Sequence, residues 1–298
     1  MSFINVYVSK PSKIFVKNKQ LHVENDVGDN VFSVEDINSV MIESTACTIT
    51  SHAMEFLASN GVATFFCNEK HLPCAVTTPF GTHHRQLGVL DMQLNISKPL
   101  KKQLWQSIVR CKIAGQAKVL EKLGKDDFRK LASLSNEVVS GDANNVEATA
   151  ANLYFKAYFD GKHHRRDDVD INDCLDYGYA IVRGLVTRSL VAHGFTPCLG
   201  LFHHSSLNGF NLSDDVIEPF RPIVDLWVAT YLCEEELTPK AKQRLYSIVN
   251  AETIMGGATY TLSYAIELFV ESLKRSLQQG ENLLSTPTFE EAVIHYYA

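Results

Sequence analysis

Three stretches of this 298-residue chain hold residue types that handle metal ions or phosphodiesters. The first, GDANNVEATAANLYF (Gly141–Phe155), sets Glu147 among helix-forming alanines. The second, LGLFHHSSLNGFNLSDDVIEPFRPIVD (Leu199–Asp225), carries His203 and His204 followed by Asp214, Asp215 and Glu218. The third is a scatter of basic residues on apolar-rich segments: Arg183 and Arg188 in DYGYAIVRGLVTRSL, Arg165 and Arg166 in a charged stretch, and Arg85 beside His83 and His84. Carboxylates with an imidazole form a donor set suited to Mg2+ or Mn2+. Such an ion stabilises phosphate oxygens and positions an oxygen nucleophile, and arginines can hold the remaining phosphates.

Each residue also has an ordinary role. A carboxylate at Glu147 suits a helix start for dipole reasons alone. Asp215 and Glu218, three apart, share a helix face and can sit in water as a solvated pair. Any one of the arginines can be a solvated charge with a packed stem. A metal site requires the segments to meet, and spacing alone does not bring them together.

The elements that would position these residues fall into two groups. Up to about residue 80 the pattern is β-rich. Ile4 to Val8 alternates; Lys13 to Val16 and Gln20 to Val23 flank a hairpin turn at Lys17-Asn18-Lys19; Val31 to Val34, Ser39 to Ile42, Val62 to Cys67 and Cys74 to Thr78 are further strands. One helix, Ser51 to Ser59, is closed by Asn60-Gly61. After Pro79-Phe80-Gly81 the period becomes helical almost to the end. Leu100, Leu104, Ile108 and Cys111 mark a helix stopped by Gly124, and Tyr260 to Leu277 marks another ended by Gly280. Ser213 is the expected cap of a helix that Pro219 and Pro222 bend or restart. The charged stretch His163 to Asp173 reads as a solvated loop or helix start. A β-rich part followed by a helical part predicts two domains in series, with a boundary near residues 75–90.

Composition narrows the class. Hydrophobic residues at 45% against 21% charged exclude a disordered chain. The net charge of −6 weighs against a DNA-binding role, although a basic face can coexist with acidic faces elsewhere. The start, MSFINVYVSKPSKIF, lacks the apolar core of a signal peptide, and no stretch approaches the roughly 20 apolar residues of a membrane span. A soluble cytoplasmic protein with no membrane association is expected. The seven cysteines include no Cys-x-x-Cys pair, which argues against structural zinc or a redox motif and for small buried hydrophobes in a reducing compartment.

Taken together, the GD-x-x-N-x-EA-x-A-A pattern of Gly141–Ala151, the DYGYAIVRG of Asp176–Gly184, and the LG-x-FH segment leading to D-x-x-EPFRP resemble the CRISPR-associated adaptation integrase family. The likeness is closest to members from type II systems and runs over essentially the whole chain. It implies an α+β protein: a small N-terminal β-rich dimerisation domain (1–80) followed by a larger all-helical catalytic domain (81–298). By motif position it implies a Mg2+ or Mn2+ site built from Glu147, His203 and Glu218, with Asp215 as an additional ligand. His204 and Asp214 adjoin these; the LG-x-FH placement favours His203, and only Asp215 keeps the three-residue spacing to Glu218. The implied activity is insertion of short DNA duplexes, new spacers, into a CRISPR array by 3′-hydroxyl transesterification, with hydrolysis when water is the nucleophile. The implied partners are double-stranded DNA (incoming spacer and CRISPR repeat), a second copy of the chain, a small companion adaptation protein that bridges two dimers into a heterohexamer, and further type II adaptation proteins. Arg85, Arg165, Arg166, Arg183 and Arg188 are the candidate DNA contacts. Two rivals share these residues: a metal-dependent nuclease that does not join strands, and an inactive DNA scaffold.

Overall fold

A computed structural model describes residues 4–69, 71–77, 86–232 and 236–295. The chain divides into two compact units, residues 1–84 and 85–298.

The first unit contains β1 (Ile4–Val8), β2 (Lys13–Lys17), β3 (Gln20–Asn25), β4 (Gly28–Ser33), β5 (Ile37–Ile42), β6 (Thr48–Ile49), α1 (Ser51–Ser59), β7 (Ala63–Cys67) and β8 (Pro73–Val76). One sheet has the order β1-β5-β7-β8, parallel except for the β7–β8 pair; the other has the order β4-β3-β2-β6. The β2–β3 hairpin closes through Asn18 and Lys19, both at positive φ (53° and 61°), the two-residue turn whose twist matches its strands. Strand β5 lies between two parallel neighbours and is buried at nearly every position, as a run without alternation should be. Thr50 caps α1 by accepting from the Ala53 amide, and the helix stops at Asn60 and Gly61, as its sequence predicts. Val6, Val8, Ile14, Leu21, Val40 and Leu57 form part of this unit's core.

The second unit contains α2 (Gln86–Leu94), α3 (Lys98–Lys122), α4 (Phe128–Glu137), α5 (Val146–Tyr158), α6 (Asp170–Ala192), α7 (Asn211–Ile217), α8 (Arg221–Tyr231), α9 (Pro239–Tyr246), β9 (Glu252–Met255), β10 (Ala258–Thr261) and α10 (Leu262–Gln279). Ser97 caps α3, Pro99 occupies its first turn, and Leu100, Leu104 and Ile108 form its buried stripe. The helix packs against α4, α5 and α8, while α6 packs against α7, α8, α9 and α10. Two crossings leave no room for a side chain. A Cβ on Gly178 of α6 would stand 2.5 Å from Val224 Cγ1 of α8, and one on Gly115 of α3 would stand 2.8 Å from Pro222 Cγ.

Three expectations need correction. The second unit is not all-helical: β9 and β10 form an antiparallel hairpin, and Thr288 and Ile294 bridge to Ile254 and Ala251. The physical reason is local. Gly256-Gly257, both at positive φ, lie between β-type residues in ETIMGGATYT, which makes a tight hairpin cheap. Helix α10 therefore begins at Leu262, capped by Thr261, and not at Tyr260. Helix α7 starts at Asn211, and Ser213 is no cap: its buried hydroxyl accepts a hydrogen bond from Thr187 Oγ1 at 2.9 Å. Asn211 instead ties down the preceding loop by donating to the carbonyls of Cys198, Ser205 and Asn208. Pro219 and Pro222 act as expected, restarting the helix through the short turn Glu218–Phe220. No described helix is long and apolar enough to cross a membrane.

Candidate functional site

Glu147 owes its place to an unusual turn. Gly141, Asp142 and Asn145 all have positive φ (73°, 50° and 53°). This backbone folds the Asp142 carboxylate back over the start of α5, where it accepts from the amides of Val146 (2.9 Å) and Glu147 (3.1 Å). Two amides that the helix leaves open are thereby satisfied. Three residues of the GD-x-x-N-x-E pattern thus shape a backbone, and that backbone presents the fourth, Glu147, in the first turn.

The Glu147 carboxylate reaches Lys112 of α3, with Oε1 2.6 Å from Nζ. The same ammonium stands 2.6 Å from Oε2 of Glu218. That second contact is an ion pair outside hydrogen-bonding geometry, and Oε2 is buried without a hydrogen-bonded donor. Glu218 Oε1 accepts from Arg221 Nε at 2.9 Å. Burial alone would raise the Glu218 pKa, but Arg221 and Lys112 outweigh it and hold the group down at about 2. For Lys112 burial pulls the other way, yet the two carboxylates keep its pKa above the usual lysine value. Glu147 and Glu218, from separate segments, are therefore joined through one cation.

His203 is held by Asp215, which is fully buried. Asp215 Oδ2 accepts from the amides of Leu201 (2.5 Å) and Phe202 (3.0 Å), and Oδ1 accepts from the His203 amide (3.1 Å) and pairs with His203 Nδ1 (2.7 Å). An ionised carboxylate only accepts, so Nδ1 carries the hydrogen and Nε2 keeps its lone pair in the neutral ring. The hydrogen bond to Asp215 is the main cause of a raised His203 pKa, against burial, with Glu218 and Asp214 adding to the field. Trp105 of α3 and Phe202 stack face to face at 4.4 Å, and His203 meets both edge-on. Gly200 lets the loop close: a Cβ there would lie 2.2 Å from the His203 carbonyl and 2.8 Å from Asp215 Oδ2. His204 is exposed, with Nδ1 2.9 Å from the Phe202 carbonyl. Asp214 turns to Arg183, accepting at 2.6 Å and 3.0 Å.

A further buried carboxylate is Asp225. It accepts from Tyr154 at 2.7 Å and from Tyr179, and its carbonyl accepts from Tyr158. Burial pushes its pKa up to about 6, against the lowering influence of those hydrogen bonds. Arg221 lies over the Tyr179 ring at 4.5 Å, which links this cluster to Glu218.

Of the candidate DNA contacts, Arg165 is paired with Asp176 and lies over Tyr179, Arg183 with Asp214, and Arg188 with Glu267. Arg166 is exposed. Arg85 lies outside the described residues, as do His83, His84 and Cys233. Sequence reasoning missed Lys112, Arg221 and Asp142. The signal for Lys112 was present, since a lysine falls on the spacing Leu104, Ile108, Lys112, where a further apolar residue belongs.

Among the described residues no three His, Cys, Asp or Glu side chains already converge as metal ligands do. The donors nevertheless suit a hard divalent cation: two carboxylates that already share a positive charge, and an imidazole whose tautomer is fixed.

A strand-rich N-terminal part, followed by a helical part that joins two glutamates through one lysine and carries a carboxylate-held histidine, defines a class of α+β protein with an acidic site. Residues 6–249 match the family model for CRISPR associated protein Cas1, and the chain belongs to that family. It is 40% identical over 280 residues to the CRISPR-associated endonuclease Cas1 of Neisseria meningitidis serogroup C (strain 8013), covering 92% of each chain. Among solved structures it shares the fold of a casposase bound to integration product, with TM-score 0.77 and 19% identity over 95% of this chain and 92% of that one. It also shares the fold of a chain in a Cas6-RT-Cas1–Cas2 complex, with TM-score 0.70 and 17% identity over 94% of this chain and 35% of that one.

Proposed function

We propose that this protein is a metal-dependent DNA integrase and endonuclease that inserts short duplexes into a CRISPR array. The observation that carries the reading is the sharing of one cation by Glu147 and Glu218, with His203 held in a single tautomer by Asp215 and within the field of Glu218, in a chain of the Cas1 family. The endonuclease name of the Neisseria relative and the integration product bound by the casposase support the two halves of the activity.

Glu147, Glu218 and His203, through Nε2, are the residues that would hold Mg2+ or Mn2+; bound there, the ion would stabilise charge on the phosphate and favour an alkoxide or hydroxide nucleophile. Arg221 fixes Glu218, and Asp142 fixes the start of the helix that carries Glu147. Asp215 serves as the orienting partner of His203 and not as a ligand, because both its oxygens are engaged by amides and the ring. The 3′-hydroxyl of the incoming strand attacks a repeat-border phosphodiester; a new P–O bond forms as the bond to the leaving 3′-oxygen breaks, and no covalent enzyme intermediate is needed. Arg85, Arg165, Arg166, Arg183 and Arg188 stay the proposed phosphate contacts, with Arg166 the exposed one among those described. The assembly proposed is a homodimer, two copies of which a small companion protein bridges; the Cas1–Cas2 complex among the structural neighbours supports such a partner.

The test is joining of a fluorescent short duplex to a supercoiled plasmid bearing a leader and repeat. It is run with the companion protein, in Mn2+, in Mg2+ and in chelator, for wild type, Glu147→Ala and His203→Ala. Metal-dependent joining that vanishes in both variants is the expected result. Cleavage without joining would leave a nuclease alone, and DNA binding with neither would reduce the protein to a scaffold.

A further inference from the structure

The Lys112 ammonium sits where the proposed metal would have to bind. It is 2.6 Å from Glu147 and 2.6 Å from Glu218, on a side chain only 12% exposed. A divalent ion needs carboxylate oxygens at about 2.0–2.2 Å, which is the same space. Charge leads to the same conclusion. Glu147 and Glu218 are balanced by Lys112 and Arg221 in a buried setting. Even with the Asp215 carboxylate beside His203 counted, adding a divalent ion with both cations in place would leave a net positive charge in a largely buried site, which is unfavourable.

One of the two cations therefore has to leave, and they are not equally free to do so. Arg221 is fixed by its Nε hydrogen bond to Glu218 and by the Tyr179 ring beneath it. Lys112 hangs on a flexible four-carbon stem with no ring packed against its head.

We propose that Lys112 is a tethered occupant of the metal site, holding Glu147 and Glu218 together until a divalent ion displaces it. This rests on the metal reading of the same residues. Its consequence is that the protein's apparent affinity for the ion is set by an exchange, and is weaker than the ligands alone would give. Lysine occupancy also spares the apo site the repulsion of two neighbouring carboxylates, one of them buried, so the ligands are kept paired without a metal.

The experiment uses the full chain and Mn2+ alone. Binding is followed through the EPR signal of free Mn2+ for wild type, Glu147→Ala and Lys112→Met. In parallel, acetylation of Lys112 by acetic anhydride is measured by mass spectrometry in wild type, with and without Mn2+. Lys112→Met should bind Mn2+ roughly tenfold tighter than wild type, because the competing occupied state is gone. The Lys112 amine of wild type, protected without metal, should become several-fold more reactive when Mn2+ binds. This labelling decides the matter alone if Lys112→Met fails to fold. An unchanged or weaker affinity in folded Lys112→Met overturns the exchange, as does an amine that stays protected with Mn2+ bound. If Glu147→Ala weakens binding in that case, the metal site stands without the exchange. If wild type binds Mn2+ no better than Glu147→Ala and the amine never responds, both readings fall together.

Discussion

Replacing Asp215 with asparagine separates an orienting carboxylate from a ligand. Asp215 accepts four hydrogen bonds in a fully buried position: the amides of Leu201, Phe202 and His203 and the ring Nδ1 of His203. An asparagine offers one oxygen, so the donors grouped on the other oxygen meet an NH2 instead. Hydrogen bonds to a charged group are each worth about 1.5–3 kcal/mol, and a buried donor left open costs about 1–3 kcal/mol. Relief from burying a charge offsets part of this, which leaves a net loss of about 3–5 kcal/mol for closing this loop. Hydrogen exchange at the Leu201, Phe202 and His203 amides measures that loss directly as a lower opening free energy. The His203 titration, followed by NMR, should move down, because its largest raising influence is gone. Mn2+ affinity should fall by about 10–100-fold, as expected of a group that orients a ligand. Unchanged protection of the three amides, or a His203 titration that stays where it was, would refute the assignment.

Three further outcomes follow from the packing and the buried charges. Gly200→Ala removes no chemical group, yet its Cβ would stand 2.2 Å from the His203 carbonyl; joining activity should be lost while circular dichroism stays that of a folded protein. Gly178→Ala, whose Cβ would stand 2.5 Å from Val224 Cγ1, should lower the urea midpoint by the equivalent of about 2–3 kcal/mol, and Val224→Ala in the same chain should recover part of it. Asp225 gives a pH signature. Its folded pKa of about 6 lies above the ordinary aspartate value of about 3.9, so its contribution to stability is full at low pH and is lost as pH rises through 6. Between pH 4.5 and 7 that amounts to about 2 kcal/mol, and Asp225→Asn should flatten this part of the stability–pH curve in urea titrations.

Local chemistry was the part of this fold that could be read from the sequence. The β2–β3 hairpin, α1 with its Thr50 and Gly61 boundaries, and the stripe of α3 depend on residues a few positions apart, and their patterns are unambiguous. The β9–β10 hairpin was hidden because ETIMGGATYT is short and lies between helical patterns, although its Gly-Gly turn was a usable signal. The start of α7 was misplaced because Asn211 does its work on loop carbonyls and not as a cap, which is a tertiary role. In the site, residue types and spacing nominated Glu147, His203 and Glu218, but not the means by which they are held. Lys112 acquires its meaning only when α5 and the turn before α8 fold against α3, and no local pattern encodes that meeting. The basic residues show the same limit: Arg165, Arg183 and Arg188 look like free charges in sequence, and each has found a carboxylate elsewhere in the unit.

Helix α3 also governs the order in which the site can form. It supplies Trp105 to Phe202, Lys112 to Glu147 and Glu218, the Cys111 thiol to the Pro287 carbonyl, and Lys118 to Glu290. Nearly all of these contacts span long loops, and long-range contacts form slowly because loop closure comes before any gain from the contact. During synthesis α3 leaves the ribosome long before the segment carrying His203 and Glu218, and longer still before Glu290. The helix must wait with part of its buried face uncovered until those later segments pack against it. The site therefore cannot assemble before the segment carrying Glu218 has emerged to meet α3.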